Sequence, residues 1–369
     1  MNLRAAAFID LDAINQNLLT VKKRLPEKCE LFAVVKADGY GHGAKKIAKR
    51  VENTVDRFAV ATIDEALEIR NVTEKPVLVL GFLHPDFYES AVINNITLTI
   101  FAFEDALNLS EAAKKCGKKA TVHIKLDTGM GRIGFLPCDE SVEEIKKIKE
   151  LENIETEGIF THFATADAAD KEYALLQKER FDAFYESLVA EGVEIPIRHI
   201  ANSAGIMEFE GFPYEAARSG IVTYGLYPSN EVKKENLPLL PAMTLKSFIA
   251  NIKTVKKGDG ISYGKTFVAE KEMKIATIPV GYADGYPRLL SNRGRIIAGG
   301  EYAPVVGRIC MDQFMVDVTG IENIKVCDEV ILMGKCGDKE VSCEEIAALA
   351  DTINYEIVCG ISKRVPRIY

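Results

Sequence analysis

Lys36 follows the apolar run LFAVV and leads into ADGYGHG. An ammonium at the inner end of such a run is costly to bury. Two readings are open. The lysine snorkels or pairs with an acid, as lysines commonly do. Alternatively it is a Schiff-base lysine, whose pKa falls on desolvation and which then serves as nucleophile and base. Glycines at 39, 41 and 43 would let the backbone pass close to a ligand. Further on, HIKLDTGMGRIGF delivers Asp127, Arg132 and a glycine-rich turn, and EGIFTHF ends in His162. RHIANSAG ends in Asn202 and Ser203, and AARSGIV supplies Arg218, Gly220 and Ile221. Singly these are ordinary: Ser203 as a helix N-cap, His162 as a satisfied core imidazole.

They gain meaning from the elements that carry them. From residue 31, β-branched runs alternate with amphipathic helical patterns. The expected strands are Leu31–Lys36, Arg57–Thr62, Val77–Gly81, Thr97–Phe101, Thr121–Leu126, Glu157–His162, Arg198–Ala201 and Ala216–Ile221. Helical segments between them include Gly43–Glu52, Asp64–Asn71, Glu104–Cys116, Ser141–Leu151 and Tyr173–Ala190. Eight strand-and-crossover units in about 230 residues fit a (β/α)8 TIM barrel. A doubly wound sheet competes, but no GxGxxG follows a first strand. In a barrel, chemistry sits at the carboxyl ends of the strands. Lys36, Arg132, His162 and Arg218 then share one mouth. Ser203 with the Gly220 and Ile221 amides falls after strands seven and eight, where barrels tend to bind phosphate.

Past residue 228, PSNEVKKENLPLLPAM reads as a crossover, and a β-rich C-terminal domain follows. Its expected strands are Leu245–Val255, Lys274–Val280, Gly294–Ile297, Ala303–Cys310, Gln313–Val318 and Glu329–Met333, with one clear helix near Cys343–Asp351. The domains expected are 10–232, the barrel, and 233–369, joined by an N-terminal strand over 1–9. A net charge of −8 leaves no basic stripe for nucleic acid. No apolar stretch approaches a membrane span, and the N-terminus lacks a signal-peptide core. Eight dispersed cysteines without a CxxC pair, and five scattered histidines, support neither a disulfide framework nor a metal site. The expectation is a cytoplasmic enzyme with reduced thiols and no metal.

At AVVKADGYGHG the chain resembles the alanine racemase family, and the resemblance spans essentially its whole length. It continues through KLDTGMGRIG, THFATAD, ANSAG, ARSGI, GISYGKTF, PVGYADGYPR, VGRICMDQFMVD and NYEI. The resemblance implies pyridoxal 5'-phosphate on a barrel, a mostly β second domain packing with the first strand, and a head-to-tail homodimer with shared sites. It implies that Lys36 forms the internal aldimine and is one base, with Tyr263 the base on the opposite face. Tyr40, Ser203, Gly220, Ile221 and Tyr355 would hold the phosphate, with Asn202 beside them among the cofactor-binding residues. His162 would line the cofactor and bond towards Arg218, which would face the pyridine nitrogen. Arg132 would steady the phenolic oxygen and the substrate carboxylate, while Met311, Tyr282 and Asp312 would contact substrate. Lys125 stands where the family can carry a carbamylated lysine; an ordinary lysine is the other reading.

The implied reaction interconverts L- and D-alanine. An α-proton leaves one face and returns on the other, and the cofactor is the electron sink that makes this feasible. An arginine will not give the ring nitrogen a full proton, so the sink is weakened and transamination disfavoured. Tyr263 needs a cationic neighbour to reach the phenolate, for which the Arg218–His162 pair is a source. Rivals are a basic amino-acid decarboxylase, a broad-spectrum racemase and a non-enzymatic carrier of the cofactor. Against them stand Arg218, the absent export signal, and the second domain with Tyr263 and Met311.

Overall fold

The computed structural model describes residues 4–211 and 213–369. They form two compact units. One comprises Asp12–Gly39 and Ala44–Leu240; the other comprises the residues up to Leu11, Tyr40–Gly43 and Pro241–Tyr369.

The chain begins with β1 (Ala5–Ile9), which belongs to the second unit. In the first unit, eight parallel strands follow one another: β2 (Glu30–Val34), β3 (Arg57–Val60), β4 (Val77–Val79), β5 (Ile96–Ile100), β6 (Ala120–Lys125), β7 (Ile154–Phe160), β8 (Ile197–His199) and β9 (Ala216–Ser219). They pair in the order β8-β7-β6-β5-β4-β3-β2-β9, so the sheet curls until its first and last members meet. Across the β8–β9 seam the Arg218 amide donates to Ala201 O at 3.0 Å, and the Arg198 amide and Nε both donate to Glu215 Oε2 at 2.9 Å. Helices cover the outside because most strands are buried on both faces and read as continuous apolar runs. The expected (β/α)8 barrel is therefore present, and each expected strand overlaps an observed one.

The crossover up to Leu240 clusters with the barrel. Asn17, buried in the helix Leu11–Arg24, donates to Leu240 O at 2.9 Å and accepts from its amide at 2.8 Å. These paired bonds satisfy a polar side chain that burial would otherwise penalise.

In the second unit, β1 runs antiparallel to β10 (Met243–Phe248) and parallel to Arg367–Ile368. The sheet continues through Glu329–Cys336, Arg295–Ala298 and Glu301–Pro304. Of the N-terminal strand expected over 1–9, Met1–Leu3 lie outside the described residues. Three expectations need correction. The run Leu245–Val255 is two strands, β10 and β11 (Asn251–Val255), in different sheets. Consecutive amides part company: Ile249 donates to Asp328 O and Ala250 to Thr277 O. The strand expected over Ala303–Cys310 stops at Pro304, and Gly307 turns the chain at φ 78°. Finally, a second helix, Asn354–Gly360, follows the expected one; its N-terminus has no side-chain cap, so no local start signal marks it. Among the described residues no helix is long and apolar enough to cross a membrane.

Candidate active site

After β2 the backbone turns left-handed. Ala37, Asp38, Gly39 and Tyr40 have φ of 53°, 51°, 61° and 51°. For residues with a Cβ this costs roughly 1–2 kcal/mol each, so the surroundings must hold the turn. They do. The Ala37 amide donates to Glu65 Oε1 at 2.7 Å, the Ala44 amide to Asp38 Oδ1 at 2.8 Å, and the Gly39 amide to Val35 O at 2.8 Å. Glu65 also closes the capping box with Thr62 that starts the helix Ile63–Arg70, so one carboxylate fixes two elements. Half-buried Lys36 is thereby set on a stiff turn at the carboxyl end of β2.

Two of the glycines in this stretch are required by the fold itself. A Cβ on Gly41 would collide with the Val358 carbonyl, and one on Gly43 with the Tyr369 hydroxyl. The same stretch is tied down by Arg367, whose Nε donates to Gly41 O at 2.8 Å.

At the end of β6, Lys125 is buried and donates to Leu126 O. Burial, then the charges of Arg218 and Arg132, lower its pKa to about 7 against the pull of Asp127. Asp127 is buried too, which alone would raise its pKa. The amides of Gly131, Gly129 and Arg132, at 3.0, 3.0 and 2.7 Å, reverse the shift and keep it an anion. This carboxylate folds the DTGMGR loop around itself and presents the exposed Arg132. From outside, the Tyr173 hydroxyl donates to Gly129 O and Arg180 to Thr128 O. An open cleft of about 500 Å³ lies beside this loop, bordered by Asp127, Leu136, Tyr173 and Arg180. Of the residues singled out in the sequence, Asp127 borders it.

Arg218 on β9 is buried, and both terminal nitrogens of its guanidinium are engaged. It donates to His199 Nδ1 at 2.6 Å, His199 O and Thr161 O at 2.8 Å, and His162 Nδ1 and Ile200 O at 3.3 Å. Burial and then Arg132 bring its pKa down to about 9, which leaves it a cation at neutral pH. His162 lies well below the ordinary imidazole range, through burial and then the Arg218, Arg132, Lys125 and Lys36 charges, so it stays neutral. Asn202, not Ser203, is the N-cap of the helix Ser203–Glu208, accepting from the Gly205 amide at 2.9 Å. Ser203 is thus free of capping, and its Oγ accepts from the Gly220 amide at 3.0 Å. Ile221 opens the 3-10 turn Ile221–Tyr224, where an amide has no acceptor within its own turn. The Ser203 hydroxyl proton and the Ile221 amide are the donors this turn can offer an anion.

The remaining expected residues stand on the second unit. Buried Tyr40 lies with its ring 6.1 Å from that of Tyr355, on the helix Asn354–Gly360; burial and then Cys359 push the Tyr40 phenol up. Tyr263, Tyr282, Met311 and Asp312 are all exposed, Tyr263 at 70%. They sit on linked backbone: Ser262 Oγ donates to Arg308 O at 2.6 Å, while the Tyr282 and Ala283 amides donate to Cys310 O and Met311 O. The Asp312 carboxylate is engaged by Arg364 Nη2 at 2.7 Å.

Comparison with known proteins decides the family. The chain matches "Alanine racemase, N-terminal domain" over residues 9–228 and "Alanine racemase, C-terminal domain" over residues 242–369. It belongs to the alanine racemase family. The alanine racemase of Clostridium tetani is 50% identical over 98% of this chain and 94% of its own length. That of Methanococcus maripaludis is 48% identical over 98% of each. Among solved structures, the alanine racemase of Clostridium difficile 630 superposes with a TM-score of 0.94 at 45% identity, covering all of this chain and 96% of that one. The alanine racemase from E. faecalis gives 0.92 at 37%, over 100% and 98%. The chain is accordingly an isomerase of the alanine racemase family, with a small-molecule substrate. Sequence reasoning overlooked Glu65, His123 and His199 among the racemase-site surroundings. The histidines carried no clear signal: each shares a short strand with other polar residues, Thr121 and Lys125 on β6 and Arg198 on β8.

Proposed function

We propose that this chain interconverts L- and D-alanine with pyridoxal 5'-phosphate attached to Lys36. What carries the reading is a full-length match to alanine racemases joined to a lysine standing on the carboxyl end of β2. The donors present suit that cofactor: an amine for its aldehyde, a hydroxyl-and-amide cradle for its phosphate, and a buried guanidinium that can only donate. When bound, pyridoxal 5'-phosphate supplies the conjugated ring that takes up the electron pair left at the α-carbon.

Each remaining role falls to the chain's own residues. The Lys36 amine takes or returns the α-proton on one face and Tyr263 on the other. Ser203, Gly220, Ile221, Tyr40 and Tyr355 hold the phosphate, with Asn202 shaping the cradle by capping its helix. Arg218 donates to the ring nitrogen without surrendering its proton, and neutral His162 lines the site beside it. Arg132 holds the phenolic oxygen and the substrate carboxylate. Tyr282, Met311 and Asp312 contact alanine from the second unit. Lys125, with its pKa near 7, has amine to spare for carbon dioxide: the C–N bond forms, one proton leaves, and the resulting carbamate anion orients Arg132. The working form is a cytoplasmic homodimer in which each site takes Lys36 from one chain and Tyr263 from the other.

The test is a chiral assay with L-alanine, together with borohydride reduction and peptide mapping. Formation of D-alanine and a pyridoxyl group on Lys36 are expected. Failure to racemise alanine, or a label on a different lysine, refutes the assignment.

A further inference from the structure

Arg218 is buried in the barrel, and among the described residues all its side-chain hydrogen bonds go to carbonyl oxygens and imidazole nitrogens. A buried guanidinium without a carboxylate is expensive. Its counter-charge lies further down the barrel, and the route to it is continuous. Arg218 Nη1 meets His199 Nδ1 at 2.6 Å, His199 Nε2 meets His123 Nδ1 at 2.8 Å, and His123 Nε2 meets Glu157 Oε2 at 3.0 Å. Arg57 seals the far end, with Nη1 2.7 Å from Glu157 Oε2 and Nε 2.6 Å from Glu30 Oε2.

We infer that Glu157 and His123 are positioning residues of the racemase site, which through His199 fix the direction of a buried hydrogen-bond chain ending on Arg218. The direction follows from donor chemistry. A guanidinium only donates, so His199 Nδ1 must accept. The His199 proton is then on Nε2 and is donated to His123 Nδ1. His123 in turn carries its proton on Nε2 and donates it to the carboxylate. Both rings are neutral Nε2–H tautomers. Reversing either one would set N–H against N–H at less than 3 Å. The charges facing the rings agree. Arg218 on β9, Arg57 on β3 and Lys125 on β6 all oppose a charge on His199, while burial outweighs Glu157 and Glu30 at His123.

The backbone is shaped for this chain. The β6–β7 register shifts between Val122, opposite Thr156, and His123, opposite Gly158, so Glu157 is the extra residue of a bulge. Bulges re-aim side chains, and this one turns a carboxylate towards the barrel interior. Gly158 makes the room: a Cβ there would overlap the His123 ring, 2.5 Å from Cε1. Phe160 stacks flat on His199, with centroids 4.6 Å apart and planes 7° apart, and fixes the second ring. Polarisation along such a chain strengthens each bond, so the Glu157 charge is felt at the guanidinium.

The inference rests on Arg218 facing the cofactor's ring nitrogen, and the experiment separates the two. The histidines are labelled with 15N, and ring spectra are recorded for the purified enzyme and for protein stripped of cofactor, over about pH 6 to 9. His123→Phe supplies assignment. Expected are two slowly exchanging Nε2–H protons, from His123 and His199, that do not titrate in either form. An Nδ1–H proton on His199, or titration of either ring, overturns the proposal. In the loaded enzyme, His123→Phe should lower kcat about tenfold with little change in KM and should shift the cofactor's visible band. Glu157→Gln, which retains an acceptor oxygen, should lose less, and Glu157→Ala about as much as His123→Phe. Unchanged kcat and spectrum in both His123→Phe and Glu157→Ala also overturn it. Should Lys36 prove not to carry the cofactor, the spectra of the stripped protein still decide the tautomers.

Discussion

Lys125 offers a quantitative test of how the barrel mouth is charged. Its pKa falls from 10.5 to about 7, mainly by burial and then by the Arg218 charge. That difference corresponds to about 5 kcal/mol against the ammonium form, to order of magnitude. At pH 7 roughly half of Lys125 is then free amine, against about one part in 3,000 for an ordinary lysine. The reactive form is therefore enriched about a thousandfold. Between pH 7 and 10.5 the unfolded chain holds the proton and the folded chain does not, so unmodified protein gains stability as pH rises through that window. Carbon dioxide should trap the amine, because a carbamate anion relieves the repulsion from Arg218 and Arg132. With 13C-bicarbonate, the wild type should show a carbamate resonance that grows with a midpoint near pH 7, and Lys125→Met should lack it. Lys125→Met should also raise the KM for alanine several-fold, through a misplaced Arg132, with a smaller loss in kcat. A wild-type spectrum identical to that of Lys125→Met at every pH would refute the charge argument.

Three further outcomes are expected. Arg218→Glu places a carboxylate where a ring nitrogen can be protonated; racemisation should slow at least tenfold, with pyruvate and a new long-wavelength band appearing, and normal racemisation without either contradicts this role for the arginine. Lys36→Ala and Tyr263→Ala should each be nearly inactive, yet a subunit-exchanged mixture should recover roughly a quarter of wild-type activity, since half the dimers are mixed and each has one intact site. No recovery after verified exchange would mean that both bases come from one chain. Gly41→Ala, at φ 77° and against the Val358 carbonyl, should cost roughly 2 kcal/mol or more and lower the Tm; an unchanged Tm would show that the helix bearing Tyr355 can yield.

Much of this was legible in the amino-acid sequence, and the reason is local. Short, mostly apolar runs of three to seven residues recur with helical patterns between them, which is enough to specify eight strands. Lys36 and His162 announce themselves because each stands at the carboxyl end of such a run, and Arg218 because it is a charge inside one. What the tertiary structure alone decided depends on partners distant in the chain. Residues 245–255 look like one strand, and they divide because Ile249 and Ala250 find acceptors in different places, at Asp328 and Thr277. Gly41 and Gly43 look like ligand glycines, and only the contacts with Val358 and Tyr369 show what fills the space. The left-handed turn after Lys36 is held by Glu65, 28 residues on from Ala37. The chain from Glu157 through His123 and His199 to Arg218 draws on four strands, and no spacing rule relates them. Periodicity reports which face of an element is buried. Which polar group meets which inside the barrel is settled only when the barrel closes, because a buried donor must then accept whatever partner the opposite strands present.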